Sequence, residues 1–357
     1  MEAGGLGLKK GIAIFPVTER GYRLALVAAG RLPGVVVYRP AELKAGGLRK
    51  KAAAAFESCS GLFFISAAGI AVRTCAPFLK GKHLDPAVVV MDESGRFVIS
   101  LISGHLGGAN ELAKAIADIY GATPVITTAT DGAGLPCIED LATRFNLAID
   151  DVRKIKLVNT AILNGARVFV IDADAPRRRR AVEAFGPSGA FTFRGRIPAR
   201  IAPGDVFVVV TPFTDGVSSV LRRKALVLCP AEFVAGVGCR KGVSAEEVGS
   251  AISATLKDAG VSLHALRNLA SVDIKRDEAG LVDFASRAGL EISFYTGARL
   301  NKVKAPSGGS VLVMKATGTG SVSEAAAILS AGAKKIWTRK RKFKRVTVAL
   351  ARAASAS

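Results

Sequence analysis

Short apolar runs alternate with segments of helical periodicity along most of the chain, and this alternation limits the possible folds more than any other feature. Runs rich in β-branched and aromatic residues predict buried strands, among them Gly11–Val17, Gly61–Ser66 and Pro124–Thr128. Amphipathic spacing predicts helices between such strands, for example Leu48–Glu57 and Gly107–Tyr120. Strands that alternate with helices at this spacing pack as helices on mostly parallel sheets. The sequence therefore predicts an α/β fold with largely parallel sheets.

Changes in composition divide the chain into three predicted α/β units. Their expected bounds are 1–148, 149–229 and 230–357. The first unit contains Asp92–Gly95 between two apolar runs, which predicts a β-hairpin. The smaller middle unit is rich in arginine, and its stretch Gly186–Pro203 has the Gly, Pro and Arg content of a loop.

The formal net charge of +21 raises the question of a nucleic-acid-binding protein. Two basic runs stand out, Arg177–Arg180 and Lys334–Arg345, and the second has eight basic residues and no acidic one. Each is explained either as a solvated face or as a contact for a polyanion. Residues 61–146, by contrast, carry 6 basic and 8 acidic side chains, and aromatic residues make up only 6% of the chain. An aromatic platform for stacking bases is therefore not evident, which argues against nucleic acid as the partner.

Membrane and metal sites also find little support in the sequence. The longest stretch without a charged residue or His, Ser58–Val72, is shorter than the roughly 20 residues of a spanning helix. The five cysteines form no C-x-x-C pair, and the three histidines lack metal-ligand spacing. We therefore expect a soluble, cytoplasmic protein with no membrane contact, no disulfide framework and no metal site of its own.

The segment from Ser103 to Glu111 is the most informative for chemistry. Gly104, Gly107 and Gly108 fall between a predicted strand and a predicted helix. Glycines there allow backbone N–H groups to converge at a helix N-terminus, where an anion is favoured. His105 lies within this turn and could act as a general base near neutral pH. The alternative is an ordinary tight turn with an exposed histidine.

Polar residues also end the next predicted strand, in the run Thr127–Asp131. Ligands of open parallel sheets bind at the carboxyl ends of the strands, so Asp131 could orient His105 at the same edge. Simple β-propensity and helix capping would equally explain a threonine-rich strand end. Arg73 could clamp a carboxylate, or it could be an ordinary surface arginine.

A second glycine-rich stretch, Gly236–Gly242, combines the expected strand–helix turn with the cations Arg240 and Lys241. It lacks the third glycine of a dinucleotide fingerprint and the Lys-Ser/Thr ending of a P-loop. A carboxylate or phosphate ligand therefore fits better than NAD or ATP. Cys239 has the position of a nucleophile, but a small buried residue is the preferred interpretation.

Several motifs agree, in order and spacing, with one known family. They are Gly69–Arg73, Asp85–Val90, Gly95–Ser100, Ser103–Asn110, Pro124–Asp131, Gly236–Gly242, Ala270–Lys275, Asp277–Leu281 and Ser321–Ala326. On these residues the chain resembles the cobalt-precorrin-5A hydrolase family of anaerobic cobalamin biosynthesis. The resemblance covers the first and third units, and the middle unit is compatible with it. The chain departs from the family in its denser C-terminal basic tract and in Cys75 and Cys137.

The resemblance implies an enzyme that opens the δ-lactone of a cobalt-corrinoid and releases acetaldehyde. From their positions we predict His105 as the catalytic base and Asp131 as the catalytic carboxylate that orients it. The predicted substrate-binding residues are Arg73, Ser103, Gly104, Gly107, Gly108, Asn110, Thr128, Gly236, Gly238, Arg240, Lys241, Lys275 and Glu278. No cofactor is implied, because the cobalt belongs to the substrate, and other enzymes of the pathway are candidate partners. A non-catalytic tetrapyrrole carrier remains the main alternative, ahead of a basic nucleic-acid-binding protein.

Overall fold

The computed structural model describes residues 11–81, 84–215, 217, 225–309, 314 and 318–353. The chain forms two compact units, which are Met1–Thr143 with Ile162–Gly165 and Arg144–Ala161 with Ala166–Ser357. Within the described residues the first unit contains one β-sheet and the second unit contains two. The predicted α/β class with three largely parallel sheets is confirmed. The predicted unit bounds at 148 and 229 stay a prediction.

The first sheet has six strands in the order β2-β1-β3-β4-β5-β6. They are β1 (Ile12–Pro16), β2 (Val35–Val37), β3 (Gly61–Ile65), β4 (Ala87–Met91), β5 (Phe97–Ile102) and β6 (Thr123–Val125). Strands β1 to β4 are parallel, β5 is antiparallel to β4, and β6 is parallel to β5. The hairpin predicted at Asp92–Gly95 is therefore confirmed. This reversal puts the carboxyl ends of β5 and β6 at one edge of the sheet and those of β1 to β4 at the other.

Helices cover both faces of the first sheet. They are α1 (Glu19–Ala29), α2 (Pro40–Leu43), α3 (Gly47–Ser58), α4 (Ala68–Cys75), α5 (Ala109–Tyr120), α6 (Ala129–Gly132) and α7 (Ile138–Arg144). Successive strand residues point to opposite faces, so Ile14 packs in a core with α1 and α5 while Phe15 packs in a second core with α3 and α4. Both cores are fully buried, which explains the uninterrupted apolar runs of these strands.

The second sheet has the order β7-β11-β10-β8-β9, and only β7 runs antiparallel to its described neighbour. Its elements are β7 (Leu147–Ile149), α8 (Ile155–Leu163), β8 (Val168–Asp172), α9 (Ala175–Phe185), β9 (Phe191–Arg194), β10 (Val206–Val210) and β11 (Ala225–Pro230). The loop predicted for Gly186–Pro203 is wrong at β9, because Phe191 and Phe193 are buried and form an edge strand beside β8. Burial of these two side chains stabilises a strand although the surrounding residues favour a loop.

The third sheet has the order β14-β13-β12-β16-β15. Its elements are β12 (Phe233–Cys239), α10 (Ala245–Asp258), β13 (Leu266–Val272), α11 (Ala279–Ala288), β14 (Ile292–Tyr295), α12 (Gly297–Asn301), α13 (Ser323–Ala331), β15 (Thr338–Lys342) and β16 (Val346–Arg352). Strands β12 to β14 are parallel, and β16 and β15 extend the sheet in antiparallel fashion. The basic run Lys334–Arg345 thus includes an edge strand.

No helix in the described part of the chain is both long and apolar enough to cross a membrane. Among those helices α10, with 14 residues, is the longest. A spanning helix needs about 20 residues.

Candidate active site

The loop Ser103–Gly108 lies at the carboxyl end of β5 and leads into α5. Ser103 has φ +60° and Gly108 has φ +83°, both in the left-handed region. A Cβ atom at Gly107 would lie 2.3 Å from the Cβ of Ser103, and one at Gly104 would lie 2.8 Å from Oδ1 of Asn110. The loop therefore folds back on itself so closely that these two positions require glycine.

His105 and Asp131 lie side by side at this edge of the sheet. Nδ1 of His105 is 3.8 Å from Oδ2 of Asp131, and the two side chains are 18% and 28% exposed. Nε2 of His105 is 3.2 Å from the hydroxyl oxygen of Thr130, a residue that is 3% exposed. The structure thus brings together the two side chains predicted to be catalytic, in a partly open position. Their roles stay a prediction.

Asp131 is held in place by two neighbours that the sequence assigned to substrate binding. Its Oδ2 accepts a hydrogen bond from Thr128 and another, of 3.1 Å, from Nδ2 of Asn110. Asn110 is 3% exposed, and its Oδ1 accepts a 2.7 Å hydrogen bond from the Ser100 hydroxyl. In this structure Asn110 and Thr128 therefore position Asp131.

Sequence reasoning did not single out Ser100 or Thr130. Thr130 lies in the polar run Thr127–Asp131, which was the available signal. Nothing in the spacing shows which threonine reaches His105, because α6 begins inside that run and turns successive side chains in different directions.

The N–H groups at the start of α5, which were expected to favour an anion, are not the free donors of this site. The N–H groups of Gly108, Ala109 and Asn110 at the start of α5 already donate to the carbonyls of His105, Ser103 and Gly104, at 2.9, 3.1 and 2.9 Å. The expectation that this helix N-terminus would receive an oxyanion is therefore wrong for these three groups. The N–H groups of residues 104–107 make no hydrogen bond within the described part of the chain, and the buried Ser103 hydroxyl has no partner. These loop groups are the candidate donors.

Arg73 lies in the last turn of α4, which follows β3. Its side chain is exposed and forms no ion pair with any described residue. Because β3 and β5 run in opposite directions, α4 begins at the sheet edge opposite to His105. The structure leaves Arg73 available to an anion but shows no contact between it and the His105 loop.

One group of side chains has the composition of a metal site. Potential ligand atoms of His105, Cys137 and Asp140 lie within 4.8 Å of one another. However, burial raises the pKa of the fully buried Cys137 thiol far above its usual value, and nearby Glu139 and Asp140 raise it further. The protonated thiol is the form that does not bind a metal. The expectation of no metal site in the protein stays a prediction.

The second glycine-rich stretch differs from its predicted form. Gly236 and Gly238 lie inside β12, and the turn is confined to residues 240–243. A Cβ at Gly236 would lie 1.8 Å from the carbonyl oxygen of Ser323 in α13, and one at Gly238 would lie 2.7 Å from the Thr347 hydroxyl. These glycines allow a helix and a neighbouring strand to approach β12. Their predicted contact with substrate stays untested.

The cations of this turn are exposed. Arg240 and Lys241 form no side-chain ion pair with any described residue. Beneath them, Nζ of Lys275 lies 3.0 Å from Glu278, whose other carboxylate oxygen accepts a 2.7 Å hydrogen bond from the Gly242 N–H. Burial opposes ionisation of Glu278, but the bonds from Lys275 and Gly242 outweigh it and hold the pKa of Glu278 below its usual value. Lys275 and Glu278 thus neutralise each other and support the turn.

Cys239, at the end of β12, is partly buried and has no disulfide partner. Burial raises the pKa of its thiol to about 11, although Lys275 lowers it. A thiol with this pKa is protonated at neutral pH. The preferred interpretation of Cys239 as a structural residue is therefore favoured over a nucleophile.

Comparison with known proteins places the chain in a family. The model "Cobalamin synthesis G N-terminal" matches residues 50–131, and "Cobalamin synthesis G C-terminus" matches residues 233–351. The chain is 32% identical over 311 residues to the cobalt-precorrin-5A hydrolase of Priestia megaterium, covering 87% of this chain and 83% of the relative. It is 35% identical over 335 residues to that of Salmonella typhimurium, covering 90% and 92%. A solved cobalamin biosynthesis protein G homolog from Sulfolobus solfataricus aligns over 98% of this chain and 99% of its own, with 21% identity and a TM-score of 0.39. By the two family models and these two relatives, the chain belongs to the cobalt-precorrin-5A hydrolase family.

Proposed function

We propose that this protein is a cobalt-precorrin-5A hydrolase, which opens the δ-lactone of a cobalt-corrinoid and releases acetaldehyde in anaerobic cobalamin biosynthesis. The relatives that cover most of its length carry that name at 32% and 35% identity. The observation that supports catalysis best is the pair His105 and Asp131, 3.8 Å apart at the carboxyl ends of β5 and β6.

In the first step His105 activates a water molecule that attacks the lactone carbonyl. With its Nδ1 facing the Asp131 carboxylate, the imidazole carries its proton on that nitrogen and presents the Nε2 lone pair. Nε2 then takes a proton from water, either directly after releasing Thr130 or through the Thr130 hydroxyl. Negative charge develops on the carbonyl oxygen, and the N–H groups of residues 104–107 are suitable donors for it. Collapse of this intermediate breaks the ring C–O bond, and the leaving oxygen takes the proton back from Nε2 of His105 to form a free hydroxyl. The new carboxylic acid releases its proton to solvent and becomes a carboxylate.

In the second step the free hydroxyl loses its proton to the same base. Its oxygen forms a C=O double bond, and the carbon–carbon bond to the macrocycle breaks. The bonding electron pair enters the conjugated macrocycle, and the two-carbon fragment leaves as acetaldehyde. No external oxidant or reductant is needed, and one base serves both steps.

Binding of the substrate is electrostatic in this proposal. The corrinoid bears many carboxylates, and Arg240, Lys241 and Arg73 are exposed cations that form no ion pair with a described residue. Lys275 and Glu278 support the turn that presents the first two cations, and Gly236 and Gly238 lie in the strand that leads into it. Cobalt enters as part of the substrate, so we propose no cofactor of the protein. We further propose a cytoplasmic location and contact with other enzymes of the pathway.

The decisive experiment supplies the lactone-bearing cobalt-corrinoid to the purified protein and measures acetaldehyde with a coupled alcohol dehydrogenase assay. We expect stoichiometric acetaldehyde and a change in the visible absorption of the corrinoid. Tight corrinoid binding without acetaldehyde would instead establish the carrier alternative. Binding of duplex DNA in preference to the corrinoid would establish the nucleic-acid alternative.

A further inference from the structure

A cavity of about 770 Å³ lies within the second unit, where the second and third sheets meet. Its walls include Arg144 at the end of α7, Arg177 and Arg180 of α9, Glu232 between β11 and β12, and Arg267 of β13. This volume is within the range of small-molecule sites in proteins, roughly 300–1,000 Å³. Neither the sequence motifs nor the family models that match the chain account for it, because most of the wall comes from outside the matched residues.

The floor of the cavity is rigid and already neutralised. The guanidinium of Arg177, whose side chain is 12% exposed, donates two hydrogen bonds to Asp172 and one of 2.9 Å to Glu232. Arg352 donates to the other oxygen of Glu232 at 2.9 Å. Burial opposes the charge of Arg177, but Asp172 and Glu232 outweigh it and raise its pKa far above the usual value. These partners fix the floor and leave Glu232 unable to repel an anionic ligand.

The walls of the cavity carry an excess of positive charge. Arg144 is exposed, and within the described residues its guanidinium forms no hydrogen bond or ion pair. Arg267 is also exposed, and its guanidinium donates to the neutral acceptors Asn268 and Ser330. Asp174, another wall residue, is engaged by the backbone N–H of Arg177 at 2.8 Å. The wall also carries Glu183, an exposed carboxylate with no ion pair to a described residue, so the wall has four guanidinium groups against three carboxylates. The guanidinium groups of Arg144 and Arg267 suit bidentate binding of carboxylates.

We propose that this cavity binds carboxylate side chains of the corrinoid, with Arg144 and Arg267 as the recognising groups. The identity of the ligand rests on the proposed function, while the preference for a compact polycarboxylate rests on the cavity itself. The middle sheet, which the resemblance left without a role, then binds carboxylates of the substrate.

The test compares two probes that share one macrocycle and differ at their carboxyl groups: dicyanocobyrinic acid with its carboxylates free, and the corresponding heptamethyl ester. Binding to the full-length protein is followed by the absorption of the corrinoid. We expect the acid to bind and the ester to bind much more weakly. Arg144→Ala and Arg267→Ala should each weaken binding of the acid by about tenfold or more, because each removes a charge-assisted contact. Arg287→Ala is the matched control, since Arg287 pairs with Asp283 and Glu246 on an exposed surface away from the cavity.

The outcomes separate this inference from the proposed function. If both variants bind the acid as tightly as the wild type and release acetaldehyde at the same rate, the cavity is not a corrinoid site although the function stands. If the wild type releases no acetaldehyde but binds the acid in an Arg144- and Arg267-dependent manner, the function fails and the cavity site stands. Equal binding of acid and ester would overturn the inference outright. Circular dichroism checks that each variant is folded.

Discussion

The two glycine-rich segments, Ser103–Gly108 in the first unit and Gly236–Gly242 in the second, look alike in sequence but differ in structure. In the first, β5 ends at Ile102 and the glycines close a loop on itself. In the second, β12 continues to Cys239, and Gly236 meets the backbone of α13. Glycine marks a close approach in both places. Where the strand ends before the glycines, they form a loop with unpaired N–H groups. Where the strand continues through them, they allow a helix to pack against the sheet.

The titratable groups of the two segments differ in the same way. His105 and Asp131 are 3.8 Å apart and part-exposed, so a ligand can reach both side chains. Lys275 and Glu278 are 3.0 Å apart, largely buried and committed to each other and to the Gly242 N–H. The proposed function thus assigns proton transfer to the first segment and the presentation of exposed cations to the second. Four experiments test this difference between the two segments.

The largest expected effect is on catalysis at the first segment. His105→Ala should lower the rate of acetaldehyde release by about 10²–10⁴-fold, because it removes the proposed general base. Corrinoid binding and thermal stability should change little. Asp131→Asn should cost less, since it removes only the group that orients His105. A raised KM with an unchanged kcat in His105→Ala would show instead that His105 contacts a carboxylate of the substrate.

The next effect is on stability at the second segment. Gly236→Ala forces a Cβ to within 1.8 Å of the Ser323 carbonyl oxygen, a backbone atom that cannot rotate away. We expect the free energy of unfolding to fall by about 3 kcal/mol, measured by urea denaturation. The control is Gly30→Ala, where φ is −72° and the nearest atom is at 3.6 Å. Equal stability of the two variants would contradict the packing role of Gly236.

A smaller effect is expected on binding at the turn. Each charge-assisted contact contributes about 1.5–3 kcal/mol when shielded from water, so Arg240→Ala should weaken corrinoid binding tenfold or more. Titrations at low and moderate salt measure it, with the exposed Arg287→Ala as the control. An unchanged dissociation constant at both salt concentrations would remove this turn from the binding site.

The smallest effect is a pH dependence. The pKa of Glu278 is held below its ordinary value of 4.5 in the folded protein. Its contribution to stability is therefore present above pH 4.5 and is lost as the pH falls through the lower, folded pKa. Urea midpoints measured between about pH 6 and pH 3 should fall less steeply in Glu278→Gln than in the wild type. Parallel curves for the two proteins would mean that Glu278 is not stabilised as an ion.

The sequence predicted β1 to β5 within one or two residues, because buried strands are continuous apolar runs such as Ala87–Met91. The strand predicted at Pro124–Thr128 ends three residues earlier, at Val125. The sequence did not predict α1, whose buried face is made of Gly21, Ala25 and Ala28 while the larger Leu26 is 51% exposed. Because the large apolar residues Leu26 and Val27 lie on the exposed side, residue size does not mark the buried face of this helix.

In the candidate site, too, some features could be predicted from the sequence and others could not. The proximity of His105 and Asp131 followed from one rule, that parallel neighbouring strands end at the same edge of a sheet, and β5 and β6 obey it. Two other contacts could not be predicted in this way: Thr130 with His105, and the hydrogen bond from Asn110 to Asp131. Each joins residues 21 to 25 positions apart and depends on the directions of their side chains. No local pattern encodes those directions. Arg177 illustrates the limit further, since its run was explained by solvation or polyanion contact although its guanidinium is buried between two carboxylates.

The edge strand β15 has a consequence for how the protein behaves at high concentration. An exposed sheet edge is a template on which another extended segment can assemble, and proteins protect such edges with charge. In β15 the sequence Thr338–Lys342 places Arg339 and Lys342 in solvent, while Arg341 is paired with Asp258. A second copy would have to align its own basic strand against this one, so like charges repel at each attempt. The exposed basic residues of β15 thus oppose pairing of this sheet edge with the same edge of a second copy.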